Sequence, residues 1–433
     1  MKTATTRREF REAVEQLARK FADEVWARVT ASGRADRADE VMRESGGALL
    51  REILGHALSS RSEKAGVTGT CECGGRFEFR QHRPVTLHTI LPGRDVEVRA
   101  LYGQCDRCRA GCFPLLEEMR VDPEGFTSAL CELSLLAGVI EPFESASETL
   151  LGQFAGVAVS KEKVQALVLS EGKRAQAVLK EAPAQQEPPS ERPIYLGIDG
   201  GMVFVDKRWQ ETKLGCLFRE EDRIEASKDR GQLVRRQVVA VRGGPEQLWE
   251  MLEPRVGMSG EQLVVVLGDG AEWIWNLASL IANRVEILDW YHADEHISAV
   301  ARILYGEGTE RTEKFRAVQL ERLADDGVDD VIEALRFLVP HQRSAAKKNA
   351  LTELEGYLTK NRLRMQYKTF KARGFHIGSG CVESAVSHVV QQRMKRVGMR
   401  WKAAGADAVI ALRAIYRSHG HWNPFLAKRL AAA

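Results

Sequence analysis

Residues 262–269 read QLVVVLGD, and this stretch indicates the fold most strongly. The five apolar residues 263–267 are typical of a strand covered on both faces, as in the centre of a mixed α/β sheet. Four strand-like runs and a helical run precede it: IYLGID, MVFVD, KLGCLF, RRQVVAV and PEQLWEMLEPRV. The helical run AEWIWNLASLIAN and the strand-like run VEILD follow it. The predicted order is therefore β-β-β-β-α-β-α-β.

Helical periodicity dominates the rest of the chain. Five apolar residues recur at helical spacing near the N-terminus: Phe10, Val14, Leu17, Phe21 and Val25. A similar pattern resumes after an SGG break at residues 45–47. We expect further helices over residues 121–180 and 290–374, and two more over 379–417. Residues 181–193, EAPAQQEPPSERP, contain four prolines and few large apolar residues, which predicts a linker.

Composition limits the class of protein. The 433 residues are enough for two or three domains with real cores. The N-terminus has no signal-peptide pattern, and no run of about 18 apolar residues occurs, so we expect no membrane association and an intracellular protein. The net charge of +3 is too small to indicate nucleic-acid binding by itself. However, residues 357–375 hold six bases and no acid, a pattern that suits phosphate binding and equally a solvated helix face.

Five of the eight cysteines lie between residues 71 and 112. Without a secretion signal, such a cluster is more often a metal site than a set of disulfides. Cys71 and Cys73 lie about 30 residues before Cys105 and Cys108, a separation that suits a zinc ribbon with β-hairpin arms. We therefore predict zinc, with Cys112 as a possible substitute for one of the four ligands.

Two helical stretches flank AGVAVS within residues 147–172, and Ser160 is a plausible N-cap. The pattern fits a helix-turn-helix whose second helix enters a major groove. Any αα-hairpin gives a similar pattern, so the sequence leaves both interpretations open.

Two aspartates follow predicted strands: Asp199 in YLGIDGG and Asp269 in VVVLGDG. The carboxyl ends of adjacent strands converge on one crevice, so these side chains can meet. Glu383 begins a helix after a Gly-Ser-Gly turn, at the edge of an apolar stripe that could carry it toward the sheet. Three converging carboxylates can hold a pair of Mg²⁺ ions for phosphodiester chemistry. Each acid taken singly also suits a turn or a helix cap.

The string HADEH at residues 292–296 matches H-x-x-E-H, a zinc peptidase pattern. His292, Glu295 and His296 fall on one helical face. That class requires a third metal ligand, and none is identifiable in the sequence. The peptidase interpretation is therefore a remote alternative.

Six blocks, in this order, resemble the ISKra-type insertion-sequence transposases: YLGIDGG, GDGAEWIWN, ILDWYHADEH, GFHIGSGCVESA, RMKRVGMRW and HGHW. These are prokaryotic DDE enzymes with an RNase H-like core, distantly related to the Mutator-like group. The resemblance begins near residue 67 and implies that Asp199, Asp269 and Glu383 are the DDE triad holding Mg²⁺ or Mn²⁺. The 113 residues between Asp269 and Glu383 would then contain an all-helical insertion.

The resemblance implies further roles. Asp289 and His292 resemble the Mutator-like D-x-x-H motif, so we expect them beside the metal site or in contact with DNA. We expect the same of Arg393, Lys395, Arg400 and Trp401. The family usually has C-P-x-C-G at the first cysteine pair, whereas this chain has C-x-C with Thr70 at the expected position. This departure leaves the identity of the fourth zinc ligand open.

The expected fold is a multidomain α+β protein with seven segments. They are a helical region (1–66), a zinc ribbon (67–120), a helix-turn-helix region (121–180), the linker (181–193), the first part of an RNase H-like core (194–293), a helical insertion (294–374) and C-terminal core helices (375–433).

The expected function is a DNA transposase that binds terminal inverted repeats, cleaves phosphodiesters and transfers strands to target DNA. The double-stranded DNA would be bound by a homodimer, in the prokaryotic cytoplasm at the nucleoid. Two alternatives stay open: an RNase H-like nuclease of repair or recombination, and a DNA-binding regulator with an inactive nuclease fold.

Overall fold

The computed structural model describes residues 6–31, 38–62, 69–93, 95–182, 192–227, 230–256 and 260–432. The chain divides into two compact units, Met1–Val168 with Leu426–Ala433, and Leu169–Phe425. This division falls at residues 168–169 rather than in the predicted linker 181–193, of which residues 183–191 lie outside the described part.

The first unit begins with two long helices, α1 (Arg7–Ala31) and α2 (Ala38–Ser62). The expected break at SGG is wrong, because α2 continues through residues 45–47. The small side chains of α2 allow a close approach to the neighbouring sheet: a Cβ on Gly55 would lie 2.7 Å from the carbonyl oxygen of Glu97. Tertiary packing here outweighs the low helix propensity of glycine.

A three-stranded antiparallel sheet follows, with β1 (Phe77–Leu87), β2 (Val96–Cys105) and β3 (Gly111–Cys112). Its apolar face packs on α2 and on the short helix α3 (Pro114–Glu118). The pairing of Phe77 with Cys105 brings the start of β1 beside the end of β2. The two cysteine pairs of the sequence are thereby placed at one end of the hairpin.

A helical cluster follows in the first unit, and its last helix continues past Val168 into the second unit. Helix α4 (Ser128–Ile140) precedes α5 (Phe143–Ser145), which continues as a π-helical segment (Ala146–Ala155), and α6 (Lys161–Lys180) follows. The predicted N-cap is confirmed, since the Lys163 N–H donates to Ser160 Oγ at 3.1 Å. The two helical stretches around AGVAVS are therefore present; their binding role stays a prediction.

The second unit is built on a five-stranded mixed sheet in the order β10-β9-β4-β5-β8. Its strands are β4 (Ile194–Val205), β5 (Arg208–Arg219), β8 (Gln237–Val241), β9 (Val264–Gly268) and β10 (Arg284–Leu288). β9 is parallel to both β4 and β10, whereas β5 is antiparallel to β4 and β8. A separate hairpin of β6 (Arg223–Ser227) and β7 (Arg230–Leu233), which the sequence did not predict, lies between β5 and β8 in the chain.

The two runs IYLGID and MVFVD form one strand rather than two. β4 continues through Gly200 and Gly201 because each pairs with β5, opposite Lys213 and Thr212. A two-residue turn at Asp206 and Lys207, both with positive φ (46° and 65°), joins the strands in this register. Glycine residues locally favour the end of a strand. β4 nevertheless continues, because twelve consecutive residues pair with β5.

Helices cover both faces of this sheet, as the apolar run 263–267 predicted. One face carries α7 (Pro245–Val256) and α8 (Glu272–Ala278). The other carries α14 (Gly380–Val386), its continuation through a π-helical segment (Ser387–Gln391) into α15 (Gln392–Met394), and α16 (Ala403–Arg417). All four β9 residues from Val264 to Leu267 are fully buried.

Residues 290–372 are helical, as expected. The helices are α9 (Trp290–Tyr305), α10 (Glu310–Ala324), α11 (Val328–Leu338), α12 (Ala345–Asn361) and α13 (Tyr367–Ala372), and α17 (Trp422–Ala432) ends the chain. Among the described helices, none combines the length and apolarity needed to cross a bilayer.

The helices and the three sheets together make the fold a mixed α+β structure.

Candidate carboxylate site and cysteine cluster

Asp199 lies on β4, and Asp269 directly follows the neighbouring parallel strand β9. The last pair between β4 and β9 joins Gly197 to Leu267, and each aspartate lies two residues beyond it. Neighbouring strands are roughly 5 Å apart, so the two carboxylates extend from the same end of the sheet. Asp199 lies within the long strand β4 rather than at its end, which corrects the expectation; what ends there is its pairing with β9.

Glu383 is held over the same strand by two glycines. Residues 197, 199 and 201 share one face of β4. A Cβ on Gly197 would lie 2.9 Å from Cys381 Sγ, and a Cβ on Gly201 would lie 3.1 Å from Val386 Cγ1. Helix α14 therefore crosses β4 at close range directly above the Asp199 face, and it carries Glu383 in its first turn.

The electrostatics of Asp199 show how close the acids are. Burial raises its pKa from 3.8 to about 6, against the effect of a 2.6 Å hydrogen bond from the Gly200 N–H. The negative charges of Asp269 and Glu383 raise the pKa further, while positive His292 opposes them. Negative charge thus accumulates at this point, a condition that a bound cation would relieve.

Asp289 and His292 form a second pair at the start of α9. Asp289 is fully buried and is the N-cap of the helix: its Oδ1 accepts from the His292 N–H at 2.8 Å and lies 3.1 Å from His292 Nδ1. Its hydrogen bond to Asp289 raises the pKa of His292 to about 9, so the imidazole is positive at neutral pH. Burial would raise the pKa of Asp289, but the hydrogen bonds from His292 and Ser379 outweigh it and lower that pKa.

Ser379 connects this pair to Glu383, and the sequence did not single it out. Its backbone N–H donates to Asp289 Oδ2, and its Oγ donates to Glu383 Oε1 at 2.7 Å. Ser379 is only 2% exposed. The Gly-Ser-Gly turn was visible in the sequence, but the contact with Asp289, 90 residues earlier, was not.

Tyr357 of α12 is a second residue that sequence reasoning missed. Its Oη donates to the Asp269 carbonyl oxygen at 2.9 Å, and burial raises its pKa. Gly270 next to it has φ of 101°, and a Cβ there would lie 2.8 Å from the Tyr357 ring. The helical segment therefore supports the loop that presents Asp269.

The described residues that could jointly hold a metal at this site are Asp289, His292 and Glu383, whose ligand atoms lie within 4.8 Å of one another. This group shares only Glu383 with the predicted triad. Asp199 and Asp269 stand next to it, as the pKa of Asp199 indicates. The D-x-x-H pair thus lies at the carboxylate site.

The peptidase pattern is not assembled as a metal site. Among the described residues, no metal-competent group contains Glu295 or His296. The His296 ring stacks on Tyr357, with centroids 4.1 Å apart, and His292 is hydrogen-bonded to Asp289. The string HADEH lies in the first two turns of α9.

The four predicted zinc ligands Cys71, Cys73, Cys105 and Cys108 form one group within 4.8 Å. The sulfurs of Cys71 and Cys108 are 3.5 Å apart, and those of Cys73 and Cys105 are 3.6 Å apart, too far for disulfides. Tetrahedral zinc with Zn–S of about 2.3 Å places sulfurs about 3.8 Å apart, so the spacing fits that metal.

Backbone N–H groups point at these sulfurs. The N–H of Cys73 donates to Cys71, that of Gly75 to Cys73, and those of Cys108 and Arg107 to Cys105. Such donors stabilise thiolates, and they lower the pKa of Cys105 to about 7. Cys112 lies outside this group; burial and nearby Glu117 raise its pKa to about 12. The C-x-C spacing therefore places two cysteines in the group, which is complete without Cys112.

The basic run of residues 357–375 is largely neutralised by acids that are distant in sequence. Four of its bases form ion pairs: Lys360 with Glu272 (2.9 Å), Arg362 with Asp329 (3.2 Å), Arg364 with Glu286 (2.7 Å) and Lys368 with Asp325 (3.0 Å). This observation favours the solvated-face interpretation of the run over phosphate binding.

Arg393 does not lie where we expected it, beside the metal site or in contact with DNA. Its side chain is 1% exposed and its guanidinium lies 5.1 Å from the Trp401 ring centroid, so it packs inside the protein instead of meeting DNA. Trp401 is held by bonds between its Nε1 and the Met394 carbonyl (3.1 Å) and between its N–H and the Phe204 carbonyl (3.1 Å). Lys395 and Arg400 are exposed.

Comparison with known proteins identifies the family. No curated protein matches the sequence. The model of the uncharacterised protein family UPF0236 matches residues 72–425, which include three of the four clustered cysteines, the whole five-stranded sheet and every acid of the carboxylate site. The chain therefore belongs to family UPF0236.

Proposed function

We propose that this protein is a DNA transposase of the ISKra type, with an RNase H-like core and a DDE active site. The six motif blocks support this proposal, and so does the sheet, in which three antiparallel strands (β8, β5, β4) continue into two parallel ones (β9, β10) joined through α8. Helices on both faces and a helical insertion after β10 agree with it.

One observation carries the proposal: three acids from three elements converge at one end of the sheet. Asp199 and Asp269 stand side by side, α14 brings Glu383 over the Asp199 face, and the pKa of Asp199 responds to both other acids. Acids that serve only as turns or caps do not require such mutual repulsion.

The residues fit divalent cations with oxygen ligands, which the accumulated negative charge would favour. Asp199, Asp269 and Glu383 would hold two Mg²⁺ or Mn²⁺ ions, which when bound supply an activated oxygen nucleophile and stabilise the leaving oxygen. Ser379 and Tyr357 position Glu383 and the Asp269 loop. Positive His292, held by Asp289, would balance the charge of a DNA phosphate.

The reaction has two displacements at phosphorus. Water adds at the phosphodiester at the element end and the 3′ oxygen leaves, giving a 3′-OH and a 5′-phosphate. That 3′-OH then attacks a phosphorus of target DNA and displaces the 3′ oxygen there. The zinc-binding and helical modules of the first unit would bind the terminal inverted repeats, and two chains would pair the two ends.

The decisive experiment incubates the protein with DNA that carries the element ends and with Mg²⁺. Asp269→Ala should lower the cleavage rate at least about a thousandfold. The matched acid substitution Glu295→Ala should leave the rate within about twofold of wild type. If the protein is a peptidase, Glu295→Ala should instead abolish hydrolysis of a peptide library, and Asp269→Ala should leave that hydrolysis unchanged. Equal cleavage by wild type and Asp269→Ala would overturn the triad.

The nuclease alternative is separated by the products. A transposase joins the freed 3′ end to a second duplex, whereas a nuclease releases ends and joins none. Binding of the ends without cleavage by wild type would favour the regulator.

A further inference from the structure

A second surface of the same unit lies where the β4–β5 turn meets the segment after α15. The Trp401 N–H donates to the Phe204 carbonyl, and the Asp206 N–H donates to the Trp401 carbonyl at 3.0 Å. Lys395 Nζ lies 5.8 Å from the Trp209 ring centroid. The β4–β5 turn and the segment after α15 are therefore joined by backbone hydrogen bonds and form one surface.

Five exposed bases share this surface, which we call the basic tip: Lys207, Arg208, Lys395, Arg400 and Lys402. Lys402 has Asp206 at 4.0 Å, and the other four form no ion pair with an acid in the described part of the chain. The bases of residues 360–368, in contrast, are paired. Uncompensated positive charge is concentrated at the tip.

The backbone holds one of these bases in a costly conformation. Lys207 has φ of 65°, a position of the two-residue turn that glycine or asparagine usually occupies. A residue with a Cβ is disfavoured there because the Cβ lies too close to the following carbonyl oxygen. The turn thereby fixes the backbone of Lys207 at this surface.

Apolar groups are exposed among the charges. Val397 is completely exposed, and Trp209 is 57% exposed. Protein surfaces that bind a duplex combine bases for the phosphates with apolar side chains that contact sugars or base edges. The mixture fits a nucleic acid better than an acidic protein partner.

The length of β4 and of the α14–α15 segment gives the distance between the basic tip and the carboxylates. Six residues of β4 separate Asp199 from Val205 at the turn, roughly 20 Å of extended strand. Helices α14 and α15 lead from Glu383 to Lys395 in twelve residues, or roughly 18 Å. At about 3.4 Å per base pair, this distance corresponds to about six base pairs.

We infer that the basic tip is a docking surface for the backbone of duplex DNA, about six base pairs from the phosphodiester at the carboxylate site. This inference rests on the proposed function only for the identity of the DNA at the site. Lys207, Arg208, Lys395, Arg400 and Lys402 contact phosphates, and Val397 lies against the groove between them.

The test measures binding of the full chain to a fluorescent duplex of unrelated sequence, without Mg²⁺, over a range of salt concentrations. Each lost phosphate contact lowers the slope of log affinity against log salt by about 0.9. The triple variant Lys207→Gln, Lys395→Gln, Arg400→Gln should lower the slope by about two to three. The matched variant Lys360→Gln, Arg362→Gln, Lys368→Gln removes the same charge from paired bases and should lower it by less than one.

An unchanged slope in the tip variant, or equal losses in both variants, would overturn the inference. Cleavage is not needed for this measurement, so it stands or fails separately from the Asp269→Ala experiment. A second measurement places neutral methylphosphonates along a cleavable duplex: binding by wild type should weaken about six base pairs from the cut, and the tip variant should not respond there. A map without a response at that distance would contradict the placement.

Discussion

The cysteine cluster has four sulfurs within 4.8 Å of one another, whereas the acids of the carboxylate site come from β4, the end of β9, the start of α9 and α14. Four thiolates complete a tetrahedral zinc shell and leave no position for a substrate. A divalent cation held by carboxylates would keep positions open for other oxygens, and a positive histidine beside these acids compensates part of their charge.

The cysteine cluster therefore suits a structural role, and the carboxylate site suits a role that leaves room for a substrate. The four cysteines lie at one end of the β1–β2 hairpin and their sulfurs accept from nearby backbone N–H groups, so the pairing of two neighbouring strands assembles them. The carboxylate site depends on contacts between distant segments through Ser379 and Tyr357. Substitutions should therefore affect stability at the first site and both pH dependence and activity at the second.

The largest effect is expected from Cys105→Ser. Structural zinc sites contribute binding free energy on the order of 10 kcal/mol to the fold of small domains. We expect bound zinc to fall from one per chain to near zero, and residues 69–112 to become sensitive to limited proteolysis. The measurements are metal analysis and identification of the cleavage sites by mass spectrometry.

Cys112→Ser is the matched control, because Cys112 lies on the same sheet but outside the cluster. It should keep its zinc. Zinc retained by Cys105→Ser, or lost from Cys112→Ser, would show that the ligand set is different.

A smaller effect is expected from Asp289→Asn. The variant loses a buried charge that accepts hydrogen bonds from His292 and Ser379, at a cost of about 2–4 kcal/mol at pH 7. The pKa of His292 is raised from 6.5 to about 9. The stabilisation of the folded state by positive His292 is therefore complete below pH 6.5 and is lost as the pH rises through about 9. The difference in unfolding free energy should therefore shrink between pH 7 and pH 10 in urea titrations.

Asp294→Asn provides the comparison for that experiment. Asp294 lies on the same helix but pairs with Arg316, which keeps its charge throughout this range. The decrease in unfolding free energy caused by Asp294→Asn should be nearly constant from pH 7 to pH 10. A cost of Asp289→Asn that is equally constant would contradict the His292 pairing.

Much of this architecture could be predicted from local patterns. The apolar run before Asp269, the helix cap at Ser160 and the spacing of the four cysteines each depend on neighbours in sequence, and the structure agrees with them. The D-x-x-H string also lies at the site, because a cap and the third residue of its helix are local partners.

What the sequence could not show depends on distant partners. Gly200 and Gly201 look like a strand end until β5 pairs with them. Lys360 looks like a free base until Glu272, 88 residues earlier, neutralises it. Arg393 resembles its exposed neighbours in sequence, yet its position beneath Trp401 follows only from the attachment of Trp401 to β4.

The smallest effect, and the one with opposite sign, is expected from Asp199→Asn. A carboxyl whose pKa is raised from 3.8 to about 6 binds its proton more tightly in the folded state, so wild-type stability falls as pH rises from about 4 to 6 and then stays lower. Two pKa units correspond to about 3 kcal/mol, and partial exposure reduces this to about 2 kcal/mol. The variant should gain that amount at pH 7 in metal-free buffer and nothing near pH 4.

Mg²⁺ should distinguish wild type from Asp199→Asn further. If the excess negative charge serves a cation, Mg²⁺ should raise the melting temperature of wild type at pH 7 and have much less effect on Asp199→Asn. Glu307→Gln, an exposed acid in the turn between α9 and α10, should follow wild type in both measurements. An Asp199→Asn variant that is less stable than wild type at pH 7 would mean that the carboxylate supports the fold, and the contrast between a structural and an open site would no longer hold at this residue.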